Sequence, residues 1–213
     1  MSEAAVSPSS SPGVIPGWFG KMPHLGDFVS RRLPHEFIRG WDDWLQCGMA
    51  KAHAELGTAW PARYLVAPVR RFWLAPGQLG DTGWAGVLMP SVDGVGRYFP
   101  LTIAAAVPGH GLAAVLAAGA WFRAIDAAGR KVLDVNFSAD DLEGELAQVA
   151  PLPIEAPDNQ QARQLAETWL APPDRAQKIS LWWCGDATQA SQFECFDSLP
   201  PAAAFGSLLL EPE

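Results

Sequence analysis

The segment formed by residues 83–107 most constrains what this chain can fold into. It contains two apolar, strand-like runs, residues 84–89 and 98–107, on either side of one compact loop. The loop is rich in residue types that form turns and present polar groups, and these are Pro90, Ser91, Asp93, Gly94, Gly96 and Arg97. Because two such runs joined by a turn favour antiparallel pairing, the segment predicts neighbouring strands of a sheet with a polar loop at one end.

Helical and strand-like patterns alternate along the rest of the chain. The spacing of large apolar residues after Pro34 predicts a helix that ends at Gly57 and has an aromatic inner face. Ser138 and Asp141 form a capping-box pattern that predicts the start of a short helix. Further strands are expected over residues 17–22, 64–75, 178–184 and 192–196, and further helices over residues 111–131, 160–170 and 202–210.

These patterns predict an α/β protein with helices packed on a central mixed, largely antiparallel sheet. We expect one domain over residues 16–213, preceded by a disordered leader over residues 1–15. An alternative is that the part of the chain beyond about residue 135 forms a looser subdomain.

Composition and charge exclude several classes of function. The chain has 213 residues and a formal net charge of −8, so it has no global positive field for nucleic acid or for an anionic membrane surface. The leader lacks the basic and apolar parts of a signal peptide. Residues 108–111 divide the apolar stretch 99–122, so neither half reaches the roughly 20 residues that a spanning helix needs. We therefore expect a soluble, cytoplasmic protein.

Two interpretations are open for the role of the Trp residues, and two for the state of the Cys residues. The 10 Trp against 2 Tyr indicate a core rich in large aromatic side chains, or else an interaction surface with Trp anchors. Cys47, Cys184 and Cys195 form no C-x-x-C pair, which favours a reducing compartment and buried free thiols. A disulfide between Cys184 and Cys195 remains the alternative.

Established catalytic and metal-binding motifs are missing from the sequence. It contains no GxxxxGK[ST], HExxH or GxSxG, and Gly94-Val95-Gly96 is a weak match to a nucleotide loop. The four histidines are scattered, and His24 with Asp27 is the only near pair, so no metal or cofactor is predicted. Ser91, Asp93 and His24 are the residues from which a small hydrolase could be built, as an alternative.

A simpler interpretation than catalysis is that the polar and charged residues of the loop stabilise its turn. Ser91 and Asp93 are types that hydrogen-bond to backbone groups in turns. A guanidinium beside apolar strands needs a carboxylate, and Asp93 or Asp27 would satisfy Arg97. The loop therefore predicts an ion pair rather than a catalytic group.

Four segments carry a resemblance to a known family. They are GWFGKMPHLGDFVSRRLP at residues 17–34, WDDWL at residues 41–45, APVRRFWLAPGQLG at residues 67–80 and MPSVDGVGRYFPLT at residues 89–102. Together they resemble the TagF/ImpM family of accessory proteins of the type VI secretion system, in unbroken order over about residues 16–107. SLWW at residues 180–183 and FGSLL at residues 205–209 resemble the family more weakly.

The resemblance implies a three-layer α/β sandwich with helices on both faces of the sheet. It also implies a non-enzymatic, post-translational regulator of the secretion machine, generally a repressor of assembly or firing, whose partner is the forkhead-associated scaffold protein of the system. A structural subunit of the apparatus is an alternative. The motif positions carried over as candidates for partner binding are Lys21, Asp27, Arg31, Ser91, Asp93 and Arg97. His24 stands where many relatives have a small residue.

Overall fold

One seven-stranded sheet forms the centre of the structure. The structure is a computed structural model, and it describes residues 14–109, 111–155, 158–170, 179–188 and 193–209. Its strands are β1 (Gly17–Gly20), β2 (Val29–Arg31), β3 (Arg70–Leu74), β4 (Trp84–Met89), β5 (Leu101–Ala106), β6 (Ser180–Trp183) and β7 (Phe193–Phe196). They lie in the order β2-β1-β5-β4-β3-β6-β7, and each of these neighbouring pairs is antiparallel.

Seven helices lie within the described ranges. They are α1 (His35–Leu56), α2 (Trp60–Leu65), α3 (Leu112–Ala117), α4 (Gly119–Lys131), α5 (Ala139–Ala147), α6 (Gln160–Leu170) and α7 (Phe205–Leu209). Short 3₁₀ turns at Gly57–Ala59 and Ala202–Ala204 precede α2 and α7. None of the described helices is long and apolar enough to cross a membrane.

The helices form a layer on each face of the sheet. Because successive strand residues point to opposite faces, Phe72 and Leu74 pack with α1, α2 and α7, whereas Trp73 packs with α3, α4, α5 and α6. Each face thus has its own apolar core. The predicted three-layer α/β sandwich is confirmed. The sheet was predicted to be mixed and largely antiparallel, and every pair among the described strands is antiparallel.

Helix α1 follows the local signals in the sequence. It begins directly after Pro34 and ends at Gly57, whose φ of 51° is in the left-handed region that favours glycine. Its buried positions recur at helical spacing, and they are the ones that define the predicted inner face: Phe37, Trp41, Trp44, Leu45, Gly48 and Ala52. The aromatic core is thereby confirmed on this face of the sheet.

The largest error in the predicted elements concerns residues 64–75. Residues 60–65 form helix α2, and only Arg70–Leu74 form a strand. Pro61 lies in the first turn, where proline suits the start of a helix. The Tyr64 hydroxyl donates a hydrogen bond to the carbonyl of Ser91, in the loop after β4. The edge strand β2 was also missed, inside the polar run of residues 24–32.

Other predictions of elements are close to the observed bounds. The helix predicted over residues 111–131 is divided into α3 and α4 at Ala118. The capping box at Ser138 and Asp141 is formed in both directions and begins α5. Strands β6 and β7 pair as predicted. Most of the predicted leader, residues 1–13, lies outside the described residues.

Strand directions place the two motif loops at one end of the sheet. Strand β5 is antiparallel to both β1 and β4, so β1 and β4 end where β5 begins. The loops after β1 and after β4, residues 21–28 and 90–100, therefore meet at this end, which we call the motif end. The loop formed by residues 75–83 and the residues 107–109 that follow β5 lie at the opposite end.

Candidate functional site

The two loops at the motif end are joined by hydrogen bonds to the backbone carbonyls of the first loop. The Ser91 hydroxyl donates to the carbonyl of Lys21 at 2.7 Å, and the backbone N–H of Gly94 donates to the carbonyl of Leu25 at 2.8 Å. Ser91 is buried, so its hydroxyl is committed to this link. These contacts fix the position of one loop relative to the other.

A buried carboxylate stands at the centre of the motif end. Oδ2 of Asp93 accepts from Nζ of Lys21 at 2.8 Å and from Nε of Arg97 at 2.6 Å. Its Oδ1 accepts from the backbone N–H groups of Val95 at 3.1 Å and Arg97 at 2.8 Å. Both Asp93 and Lys21 are buried, so the carboxylate and the ammonium group are compensated away from water.

The charge state of Asp93 follows from these contacts. Burial by itself would raise the pKa of Asp93, but the hydrogen bonds from Lys21, Arg97 and Val95 outweigh burial and hold the pKa well below its usual range. The side chain is therefore an anion at neutral pH. An anion already bonded by two cations and two backbone donors has the chemistry of a structural centre.

Tyr64 is a member of the site that the sequence analysis missed. Its hydroxyl donates to the carbonyl of Ser91 and accepts from the backbone N–H of Ser91, each at 3.0 Å. Burial raises the pKa of the phenol well above its ordinary value, against the smaller opposing effect of the bond to Ser91. Tyr64 was assigned to a strand, and no motif in the sequence connects it with a loop that lies 27 residues further along the chain.

The outer side of the motif end is partly apolar and exposed to solvent. The Phe28 ring packs on Phe99 with a centroid distance of 4.7 Å, and the Lys21 ammonium lies 5.0 Å from its centroid, yet Phe28 remains 44% exposed. Val95 is 72% exposed, and the Arg97 side chain is 59% exposed. We call Phe28, Val95 and Arg97 the loop surface.

The structure brings four of the six candidate residues together. Lys21, Ser91, Asp93 and Arg97 are joined by the contacts described above. The Asp27 carboxylate instead accepts from the backbone N–H of Phe28 at 2.8 Å, while Arg97 donates to the carbonyl of Gly26 at 2.6 Å. Of the two carboxylates considered for Arg97, Asp93 is therefore the one that pairs with it.

Arg31, the sixth candidate, lies apart from this group. It belongs to the edge strand β2, and its guanidinium is 3.9 Å from the carboxylate of Asp140 in α5, with both side chains exposed. The next residue, Arg32, has a φ of 59° and forms an ion pair with Glu143, which also accepts from the indole of Trp18 at 2.5 Å. These contacts attach the sheet edge to α5.

The hydroxyl and carboxylate considered for hydrolysis are engaged elsewhere. Ser91 and Asp93 have the partners given above, and Nδ1 of His24 is buried without a hydrogen-bond partner in the described part of the chain. No hydrogen bond among the described residues joins these three side chains into a relay. Over the same residues, no group of three or more His, Cys, Asp or Glu side chains is arranged to hold a metal ion.

No disulfide joins Cys184 to Cys195, so the alternative of a bridge between these two residues is not realised. The expectation of buried thiols was wrong, because Cys47 is exposed and Cys184 and Cys195 are only half-buried. Cys47 lies on α1, whose buried stripe includes its neighbour Gly48 instead.

The fold and the site define an α/β sandwich in which motif charges hold two loops together at one end of the sheet. A family model described as the TagF N-terminal domain, type VI secretion system-associated, matches residues 17–149. The chain belongs to this family and is therefore a protein associated with the type VI secretion system. Both motif loops fall within the matched residues.

A solved structure supports the same assignment. The crystal structure of PA0076 from Pseudomonas aeruginosa PAO1 is 34% identical in sequence and superposes with a TM-score of 0.78. The similarity covers 93% of this chain and 95% of PA0076, so it extends well beyond the matched family domain. No curated protein sequence gave a match.

Proposed function

We propose that this chain is a post-translational regulator of a type VI secretion system, a repressor of assembly or firing that acts in the cytoplasm without catalysis. Its proposed partner is the forkhead-associated scaffold protein of the system. The observation that carries the proposal is the family match over residues 17–149, which includes both loops of the motif end.

The chemistry of the motif end supports binding more than catalysis. The side chains of Lys21, Ser91, Asp93 and Arg97 are paired internally, so they hold the two loops in one shape. A rigid surface loses little conformational entropy when a partner docks on it. The groups left exposed, Phe28, Val95 and Arg97, combine aromatic, aliphatic and guanidinium character, and aromatic side chains and Arg are enriched at protein interfaces.

Capture of the scaffold protein by purified variants tests this proposal. Val95→Asp places a charge on the loop surface without touching the buried ion pairs. We expect capture of the scaffold to fall at least about tenfold, which corresponds to about 1.4 kcal/mol. Val135→Asp is the matched control, because Val135 is 65% exposed in the loop after α4 and lies outside the loop surface.

The regulatory role needs a second readout in cells. In a strain that lacks the gene, wild-type protein and the Val135→Asp variant are expected to lower the amount of secreted material, and Val95→Asp to leave it high. Full repression by Val95→Asp would exclude the loop surface. Failure of the wild-type protein to capture the scaffold would exclude that partner, and increased secretion on overproduction would exclude a repressor.

A further inference from the structure

One side chain outside both motif loops reaches the backbone of the loop after β4. Tyr64 belongs to α2 and is fully buried. Its hydroxyl accepts from the N–H of Ser91 and donates to the carbonyl of Ser91, each at 3.0 Å. Both backbone groups of one loop residue are therefore bonded by a single phenol from another element.

The two hydrogen bonds differ in how far the loop depends on them. The carbonyl of Ser91 also accepts from the backbone N–H of Phe99 at 3.1 Å, so it keeps a partner without Tyr64. The N–H of Ser91 bonds only to the Tyr64 hydroxyl within the described residues. Because Ser91 is 2% exposed, solvent has little access to this N–H, and a buried N–H without a partner destabilises the conformation that buries it.

Ser91 also connects Tyr64 to the loop after β1. Its hydroxyl donates to the carbonyl of Lys21 at 2.7 Å, while its backbone groups are held by α2. The same residue therefore joins three parts of the chain, and these are α2 and the two motif loops. Both loops carry side chains of the loop surface, so a displacement of Ser91 changes the relative positions of those side chains.

The ring of Tyr64 is held in place independently of its hydroxyl. It packs against Trp60 of α2 with a centroid distance of 5.1 Å and against Tyr98 of the loop after β4 with a centroid distance of 5.4 Å. Burial raises the pKa of the phenol well above its ordinary value. The hydroxyl therefore stays protonated at neutral pH and supplies both a donor and an acceptor.

We propose that Tyr64 is a positioning residue for partner binding, which holds the loop surface in its binding conformation through Ser91. Tyr64 is buried, so the partner does not touch it. This inference rests on the proposed function, because it assigns Tyr64 a role in binding at the loop surface. Without the hydroxyl, the Ser91 N–H is unpaired and the loop leaves its observed conformation in part of the molecules. The dissociation constant then rises in inverse proportion to the fraction that keeps this conformation.

Tyr64→Phe is the variant that tests this role. It removes one oxygen atom and retains the ring between Trp60 and Tyr98. Gly48→Ala is the control for a general loss of stability, since the three atoms nearest to an added Cβ there all belong to Phe205 of α7. We expect the dissociation constant for the purified scaffold protein to rise about tenfold for Tyr64→Phe and to stay at the wild-type value for Gly48→Ala. Wild-type affinity of Tyr64→Phe would overturn the proposal.

The conformation of the loop is measured separately in the free protein. The chain has 2 Tyr, so incorporation of 3-fluorotyrosine gives two ¹⁹F resonances, and Tyr64→Phe leaves only that of Tyr98. In this variant we expect Tyr98 to give a second or a broadened resonance, which becomes a single line on saturation with the scaffold protein. A single sharp line from the free variant contradicts the proposal, because a variant that only lowers stability keeps one native loop conformation.

Amide hydrogen exchange tests the contact in the wild type without any substitution. We expect slow exchange of the Ser91 N–H in the wild type and about tenfold faster exchange in Tyr64→Phe. Exchange in the wild type at the rate of an unstructured peptide would exclude the role of Tyr64. Failure of the wild type to bind the scaffold protein would exclude both the partner and this role in binding it. Wild-type binding that Tyr64→Phe leaves unchanged would exclude the role of Tyr64 alone.

Discussion

At the scale of single residues, the motif charges are best understood as support for a rigid end of the sheet. Asp93 is bonded on both oxygens, and Lys21, its buried partner, comes from the other loop. Three of the six motif candidates, Lys21, Ser91 and Asp93, are therefore buried and serve the fold. Two accessible residues beside them, Phe28 and Val95, were not singled out as candidates by the sequence.

Asp93→Asn is predicted to destabilise the protein in a manner that depends on pH. Because the pKa of Asp93 is lower in the folded chain than in the unfolded chain, its charge stabilises the fold fully above the unfolded value of about 3.9. That contribution is lost as the pH falls from there towards the folded pKa. Urea unfolding should show a constant deficit for the variant between about pH 5 and 7 and a shrinking one below about pH 4.

The exposed Asp27 provides the control for this experiment. Asp27→Asn removes a carboxylate from the same end of the molecule without leaving Lys21 unpaired, so its deficit should be small at every pH. A deficit for Asp93→Asn that does not change with pH would show that the side chain acts by shape rather than by charge.

At the scale of elements, the packing of α1 depends on the absence of a side chain. Gly48 lies on the buried stripe of α1 against the Phe205 ring of α7. A Cβ at this position would lie 2.8 Å from Cε2 of the ring and nearer still to two of its other carbons. A helix interior ordinarily disfavours glycine, so close approach of the two helices is the reason for it here.

Gly48→Ala therefore separates packing from helix propensity. Propensity alone would stabilise α1 by about 0.5–1 kcal/mol, whereas overpacking against the ring costs about 1–3 kcal/mol. We expect a net loss in the free energy of unfolding, measured with urea. Gly144→Ala in α5, where a Cβ meets nothing within 4 Å, should instead gain about 0.5–1 kcal/mol. Equal gains for both variants would contradict the close packing of α7 on α1.

At the scale of the whole molecule, one sheet joins two separate cores. Of the helices beyond residue 135, α5 and α6 contribute Leu142, Leu146, Ala162 and Ala166 to the same core as α4. Strands β3 and β6 are paired directly, so the late part of the chain extends the early sheet. This arrangement favours one domain over the alternative of a looser C-terminal subdomain.

We therefore predict a single cooperative unfolding transition. Far-ultraviolet circular dichroism and tryptophan fluorescence should give coincident urea curves, because the ten Trp are distributed along the chain from residue 18 to residue 183. A reductant should leave the curves unchanged, since no disulfide joins the three cysteines. Separate transitions for the two signals would instead support a subdomain that unfolds by itself.

The sequence by itself determined the local elements and the family. Helical spacing in α1, the capping box of α5 and the strand-like runs of β4 and β5 are encoded by neighbouring residues, so their periods can be read directly. The unbroken order of long motifs likewise needs no structure. Where local patterns were ambiguous, as for residues 60–65, tertiary contacts decided between helix and strand.

Only the tertiary structure decided how these elements meet. It brought Lys21 to Asp93 across 72 residues and Tyr64 to Ser91 across 27, and it placed Arg31 on the edge strand β2, beside Asp140. Such contacts depend on strand order and on the side of the sheet that each helix covers, which local periodicity does not encode.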